Sequence, residues 1–487
     1  MLIRNMGRTP HPAQACILGR RMATRIEKDS LGERPVPADA YYGIQTQRAV
    51  DNFPVSGLRA HPRLIEAYAI IKKAAAEAHR DLGVLDAERA GAIVQAADEV
   101  LEGKLRDQFV VDVFQAGAGV SFHMNVNEVL ANRALEILGA RRGEYSRLHP
   151  NDHVNMSQST NDTFPTAMHL ATLLTWRDLR PVLVDLAGAF HAKGDEFSGL
   201  VKSGRTHLKD AVPVTLGQEF HAWGAAIDRG IRFLETAVDD LRELPIGGNA
   251  VGTGINLPDG YRPAIIRRLS ELSGVDLRPA ADPREQIQSR QGIAAVSATL
   301  RNLALELIRI ANDLRLLDSG PLTGLAEIAL PARQPGSSIM PGKVNPVLPE
   351  CLNQICFHVV GADTAVALAS QAGQLELNVM MPVMIWELLF SMEILGNFLP
   401  VFREGCVEGI TADRERLAEF AHKSPSLATA LNPVLGYAKA AEIVKEALQT
   451  DRAIHEVALE RSDLTLEQLK EILSPENLTG QLEREGN

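Results

Sequence analysis

The chain is poor in cysteine, aromatic residues and positive charge, and each shortage excludes something. Its four cysteines, Cys16, Cys351, Cys356 and Cys406, form no CxxC pair and show no metal-ligand spacing. A disulfide framework needs denser cysteine than this, so a reducing, cytoplasmic compartment is expected. Aromatics make up 5% of the residues, which leaves an aliphatic core. Lys and Arg number 50 against 61 Asp and Glu, a formal net charge of −11. That balance argues against general nucleic-acid binding, which needs a basic surface, but allows a local basic pocket for an acidic metabolite. No uninterrupted apolar run approaches the ~18 residues of a membrane span, so no membrane partner is expected. No HExxH is present, and no histidine pair stands at metal spacing with a carboxylate; neither a catalytic metal nor another cofactor is expected.

Nucleotide and hydrolase motifs fail on spacing. Five residues separate Gly336 from Gly342, and Val344 follows Lys343, so a phosphate loop is excluded. Gly252 and Gly254 lack the third glycine of a dinucleotide fingerprint, since Leu257 stands there. Ser337 and Ser338 lie outside any GxSxG elbow.

What the sequence does contain is helix periodicity. Ile293, Val296, Leu300, Leu303, Leu307, Ile310, Leu314 and Leu317 recur at alternating steps of three and four. This heptad seam predicts a single helix of about 36 Å that needs partners within or between subunits. Eight aliphatic positions left in water would be an aggregation hazard. Residues 166–195, 216–238 and 384–398 read as further helices, with Pro181 expected to kink or split the first. Strand signals are few: hairpins are expected in the first fifty residues and around Val212–Leu216. The class is mostly α.

Between the helices lie polar loops rich in Gly, Asn and Ser: 115–128, 149–162, 203–213, 247–256 and 334–346. Loops on a rigid scaffold are where binding groups sit, and five of them predict a site assembled by convergence. Met1–Arg21 is basic, contains no acidic residue and lacks an apolar signal core; it reads as a leader ahead of a fold that begins near Met22. The expected organisation is a leader (1–21), an N-terminal domain (22–160), a central helical bundle (161–410) and a small C-terminal helical domain (411–487).

The stretch GSSIMPGKVNP (336–346) resembles the signature of the aspartase/fumarase superfamily of lyases. NMSQSTND (155–162), GRTHLKDAVP (204–213), RIEKDSLGE (25–33) and DAYYGIQTQRA (39–49) match other regions of that family in register. SQSTND, QAGAG and LPARQPGSS lean towards its aspartase branch. The resemblance implies a homotetramer whose central domains form one multi-helix bundle, with active sites each built from three subunits. It also implies a small dicarboxylate substrate.

The family chemistry removes a β-proton and a leaving group from a succinyl-type substrate to give fumarate. Deprotonating carbon beside a carboxylate creates a doubly charged aci-carboxylate, which the site must stabilise electrostatically. By the resemblance, Ser337 is the base, and Ser338 with the amides after it holds the enediolate. Lys343 and Asn345 bind the α-carboxylate. Thr206 and His207 face the same substrate from another subunit, with Glu350 pairing the histidine. Ser159, Thr160 and Asn161 touch the β-carboxylate and leaving group; as a local feature the same run is also a helix cap, with Asn161 or Asp162 able to serve.

Three positions depart from the pattern. Val120 stands where the family has a threonine that touches the leaving group, His123 replaces an asparagine, and Met381 stands where aspartases carry glutamate. Val120 removes a donor and an acceptor. The leading expectation is elimination of ammonia from L-aspartate, with fumarate hydration or elimination from an N-substituted aspartate as alternatives. A non-catalytic helical scaffold is the remaining reading; Ser337, Lys343, Asn345, His207 and Glu350 together argue against it.

Overall fold

The computed structural model describes residues 23–479; the basic leader Met1–Arg21 lies outside them. The class is mostly α. Long helices span Thr160–Glu196, Leu216–Asp239, Gln291–Leu317, Val347–Gln371 and Met381–Gly405. All eight predicted seam residues from Ile293 to Leu317 are buried. The chain divides into two compact units. One holds the residues up to Leu174 with Asp240–Ala294 and Ala365–Leu389; the other holds Thr175–Asp239, Ala295–Thr364 and Phe390 onward.

One expectation is corrected here. Pro181 does not split its helix, which runs unbroken for 37 residues from Thr160 to Glu196. The ring lies on the exposed face, where water can serve the carbonyl its missing N–H abandons, while Leu179, Leu183 and Leu186 stay buried. Helices Val347–Gln371 and Met381–Gly409 are long and apolar enough to cross a membrane by length and composition, with mean hydropathy 1.3 and 1.4. Their polar residues are spaced widely enough to leave apolar windows that a search for unbroken runs overlooks. Much of this apolar surface is uncovered in one chain: Phe357 is 58% exposed and Leu368 62%.

In the first unit, strands Thr24–Asp29 and Gly32–Pro37 form an antiparallel hairpin. Helix Pro62–Asp81 packs against Ala87–Leu101 and Tyr261–Ser273. His79 stacks on Tyr261 at 4.5 Å across the second of these contacts. Helix Ile44–Asn52 begins at Gly43 without a side-chain cap of its own. The buried Glu128 supplies one, accepting from the N–H groups of Gly43, Gln45 and Thr46 and from the Thr46 hydroxyl at 2.6–3.0 Å. A carboxylate suits the positive end of a helix. Gly43 is required because a Cβ there would lie 2.6 Å from the Tyr145 hydroxyl and 2.8 Å from the Glu128 carboxyl.

In the second unit, strands Val201–Thr206 and Lys209–Thr215 pair antiparallel, confirming the expected hairpin near Val212. Lys202 lies between Glu219 and Glu327 at 2.8 and 2.9 Å, and Arg205 pairs with Glu327 at 2.7 Å. Glu327 is fully buried, so these cations are its necessary countercharge. Residues from Leu427 to Leu473 close a separate aliphatic cluster.

Burial outweighs four donors at Glu128 and raises its carboxyl from 4.5 to about 7. A raised folded value means its stabilising contribution is fully present below pH 4.5 and lost as pH rises through about 7. The stability of wild type relative to Glu128→Gln is therefore expected to fall by on the order of 3 kcal/mol across that window. Denaturant titrations of both proteins at several pH values check this; a pH-independent difference contradicts it.

Candidate active site

In the first unit the site is built on two helix starts. The turn Gly117–Gly119 leads into helix Val120–Ile137. Gly119 has φ 79°, and a Cβ there would come within 2.0 Å of the Phe164 ring. This close approach sets Val120 at the helix start, 42% exposed. Three residues on, His123 is buried, and its Nδ1 lies 2.7 Å from Thr160 Oγ1.

Thr160 opens the second helix. The cap is Ser159, the first residue of the polar run read as a helix cap. Ser159 Oγ accepts the Asn161 N–H at 3.2 Å, and the Ser159 N–H donates to Asp162 Oδ1 at 3.0 Å. Asp162 stands three residues into the box, where a carboxylate can reach back to the cap. Its other oxygen accepts the N–H groups of Gly247 and Asn249 at 3.0 and 2.8 Å. The Asn161 amide donates to Ala250 O at 2.8 Å, leaving its second hydrogen for other use. Loops 155–162 and 247–250 are thus tied by one buried carboxylate, whose pKa burial raises to about 6.

Lys72 was missed by sequence reasoning. It is wholly buried, and its Nζ lies 2.8 Å from His123 Nε2, 3.0 Å from Asn155 Oδ1 and 2.8 Å from Gln158 Oε1. A signal existed: Lys72 interrupts the seam Ile65, Tyr68, Ala75, His79 at a position where periodicity demands an apolar residue.

In the second unit, the signature loop closes on itself. Gly336 N–H donates to Lys343 O at 2.7 Å, and Asn345 Nδ2 donates to Gly336 O at 2.6 Å. A Cβ on Gly336 would lie 2.7 Å from Asn345 N and Lys343 O, so only glycine permits the closure. Ser337 Oγ accepts the backbone N–H groups of Ile339 and Met340 at 3.2 and 2.9 Å. Two such donors lower the cost of negative charge on that oxygen. Ser338 and Lys343 are exposed, and one Nδ2 hydrogen of Asn345 remains beyond the loop closure.

Thr206 and His207 lie at the exposed tip of the second hairpin. His207 and Leu208 both have positive φ, 52° and 57°, as a tight two-residue hairpin turn requires. Glu350 lies in the first turn of its helix, 3.9 Å from Arg315. Among the described residues of one chain, no hydrogen bond or ion pair joins it to His207. Met381, at the aspartase glutamate position, is completely buried. A lone carboxylate there would be desolvated, so this residue serves packing.

Small hydroxyl and amide loops mounted on the ends of long helices, with a glycine-closed serine loop, define a helical lyase scaffold. Residues 32–361 match the family described as Lyase, and residues 427–480 the fumarase C C-terminus. The chain belongs to this lyase family, within the aspartase/fumarase superfamily. An aspartate ammonia-lyase of a Bacillus species is 50% identical over 455 residues, 93% of this chain and 97% of the relative. A class II fumarate hydratase of Thermosynechococcus vestitus is 45% identical over 459 residues, 94% and 98% of the two chains. The crystal structure of a fumarate lyase (delta crystallin) from Brucella melitensis bound to cobalt superposes with TM-score 0.90 at 50% identity, covering 93% of this chain and 99% of that one.

Asp162→Ala leaves without a partner the three backbone donors that the carboxylate now satisfies. A loss of about 2–5 kcal/mol of stability is expected, with faster hydrogen exchange at Gly247 and Asn249. Mass-spectrometric exchange on both proteins measures it; unchanged protection of the 247–250 loop contradicts the pinning role.

Proposed function

We propose that this protein eliminates ammonia from L-aspartate to give fumarate. The observation that carries the proposal is the closed 336–345 loop, in which two backbone N–H groups converge on Ser337 Oγ. A serine alkoxide is scarce at neutral pH, and converging donors are what its stabilisation needs. Ser337 takes the β-proton. Ser338 and the amides after it receive the negative charge that builds on the aci-carboxylate. Lys343 and the uncommitted Asn345 hydrogen hold the α-carboxylate. Ser159, Thr160 and Asn161 hold the other end of the substrate, and ammonia leaves from beside Val120.

Thr206, His207 and Glu350 act in an assembly. The hairpin tip carries His207 outward beside Leu208, which is 73% exposed. His207 meets Glu350 in this reading when a second subunit supplies one of them; a carboxylate neighbour then orients the ring. The uncovered apolar faces of helices Val347–Gln371 and Met381–Gly405 support association with further copies of the chain, and the assembly proposed is a homotetramer with each site shared by three subunits. They also account for two helices of span-like composition without a membrane.

Val120 favours a second reading of the leaving group. An isopropyl group in place of a hydroxyl suits a substituted amine better than ammonia, because it packs against carbon and offers no hydrogen bond.

Ser337→Ala is expected to lower kcat at least about 100-fold, as loss of a general base does, while the oligomer persists. Ultraviolet absorbance of fumarate and light scattering measure the two; near-wild-type turnover removes Ser337 from the base role.

Val120→Thr separates the two leaving groups. With ammonia as the natural leaving group, threonine raises kcat/KM for L-aspartate; with a substituted amine, threonine impairs the N-substituted substrate by roughly 5- to 150-fold, the cost of an unpaired buried hydroxyl. Measuring wild type and variant with both substrates decides. Vigorous wild-type turnover of L-aspartate that threonine leaves unchanged shows position 120 to be neutral.

A further inference from the structure

Lys72, His123 and Thr160 form a hydrogen-bonded chain from a buried lysine to a residue of the proposed substrate site. The amides beside Lys72 cannot be turned round. Asn155 Nδ2 donates to Gln158 O at 3.1 Å, and Gln158 Nε2 donates to Val154 O and Met156 O at 3.2 Å. Both amide oxygens therefore face Nζ. With His123 Nε2 they make three partners for one nitrogen. An ammonium has three hydrogens, so it satisfies all three partners when Nε2 carries a lone pair. Burial pulls the Lys72 amine well below the usual lysine range, and the nearby Asp162 carboxylate, held by three backbone N–H groups, opposes this. Burial, followed by the charge of Lys72, holds His123 far below the usual histidine range, so the ring is neutral.

A neutral ring that accepts at one nitrogen must donate at the other. We propose that Lys72 donates to His123 Nε2, that His123 Nδ1–H donates to Thr160 Oγ1, and that the Thr160 hydroxyl hydrogen is thereby turned towards the ligand. Lys72 and His123 are positioning residues, and Thr160 keeps its hydroxyl hydrogen for the ligand. That hydrogen fits a carboxylate, which only accepts, while the second lone pair of the oxygen stays open. Thr160 thus offers its hydrogen to the distal carboxylate of the substrate. The direction of the chain rests on an ammonium at Lys72, since a neutral amine would give its two hydrogens to the amide oxygens and accept from Nε2–H; its consequence for the ligand rests on the reading that Thr160 binds substrate.

The chain is tested on the whole protein by the solid-state nitrogen-15 spectrum of histidine-labelled wild type, with the His123 signals identified by their loss in His123→Asn. A protonated Nδ1 and a lone-pair Nε2 are expected; a protonated Nε2, alone or in an imidazolium, overturns the proposal. Kinetics with L-aspartate supply the second arm. His123→Leu breaks the chain and is expected to raise KM roughly 5- to 30-fold, with kcat changed less than about threefold, because a ground-state contact is lost. His123→Asn recovers most of that loss, since its amide can accept from Lys72 and donate to Thr160. An unchanged KM in His123→Leu overturns the proposal. If His123→Leu fails to fold, the wild-type spectrum still decides. The Nδ1–H form without L-aspartate turnover defeats the substrate and keeps the chain. Turnover with the Nε2–H form defeats the chain and keeps the substrate.

Discussion

One buried carboxylate organises the polar half of the first unit. Asp162 takes N–H groups from Ser159, Gly247 and Asn249, which belong to segments far apart in sequence. Each donor would otherwise be a buried, unpaired backbone group, so the carboxylate and the loops require one another. The same contact sets the cap of the 37-residue helix and hence the direction in which Ser159, Thr160 and Asn161 leave it. Burial raises the acid to about 6, which is the cost of placing that anchor in the core.

The second unit uses the same device with charged side chains in place of backbone donors. Glu327 is buried and draws Lys202 and Arg205, both on the strand that ends at Thr206. Removing either cation would strand a charge in the interior, so the root of the hairpin is rigid while its tip projects. Rigid roots and exposed tips are what a site shared between subunits demands. The signature loop follows the same logic on a smaller scale: Gly336 is held by Lys343 and Asn345, while Ile339, 83% exposed, lies outside.

The departures from the family pattern are of different physical kinds. Met381 is a core residue in this unit, and its change from a carboxylate removes a charge from a place without water. Val120 is at a surface where a ligand could lie. His123 is connected, through Lys72 and Thr160, to both the interior and the site.

The sequence by itself determined the class, the long helices and the loop inventory. A seam such as Ile293–Leu317 is a local property, dictated by the 3.6-residue turn and the need to bury aliphatic carbon. The motif around Ser337 was legible only as a resemblance to the family signature, because a loop of glycine, serine and asparagine is conformationally permissive and its closure is not written in any period. Lys72 was not legible as part of a site, because its partners come from residues 51 to 86 positions away. Asp162 was legible as a cap candidate, since it stands three residues after Ser159, but its bonds to Gly247 and Asn249 enter only through folding. The span-like composition of helix Val347–Gln371 shows the same limit from the other side. Periodicity reports that an apolar face exists; only tertiary and quaternary packing decide what covers it, because burial depends on which surfaces meet and not on the order of residues along one helix.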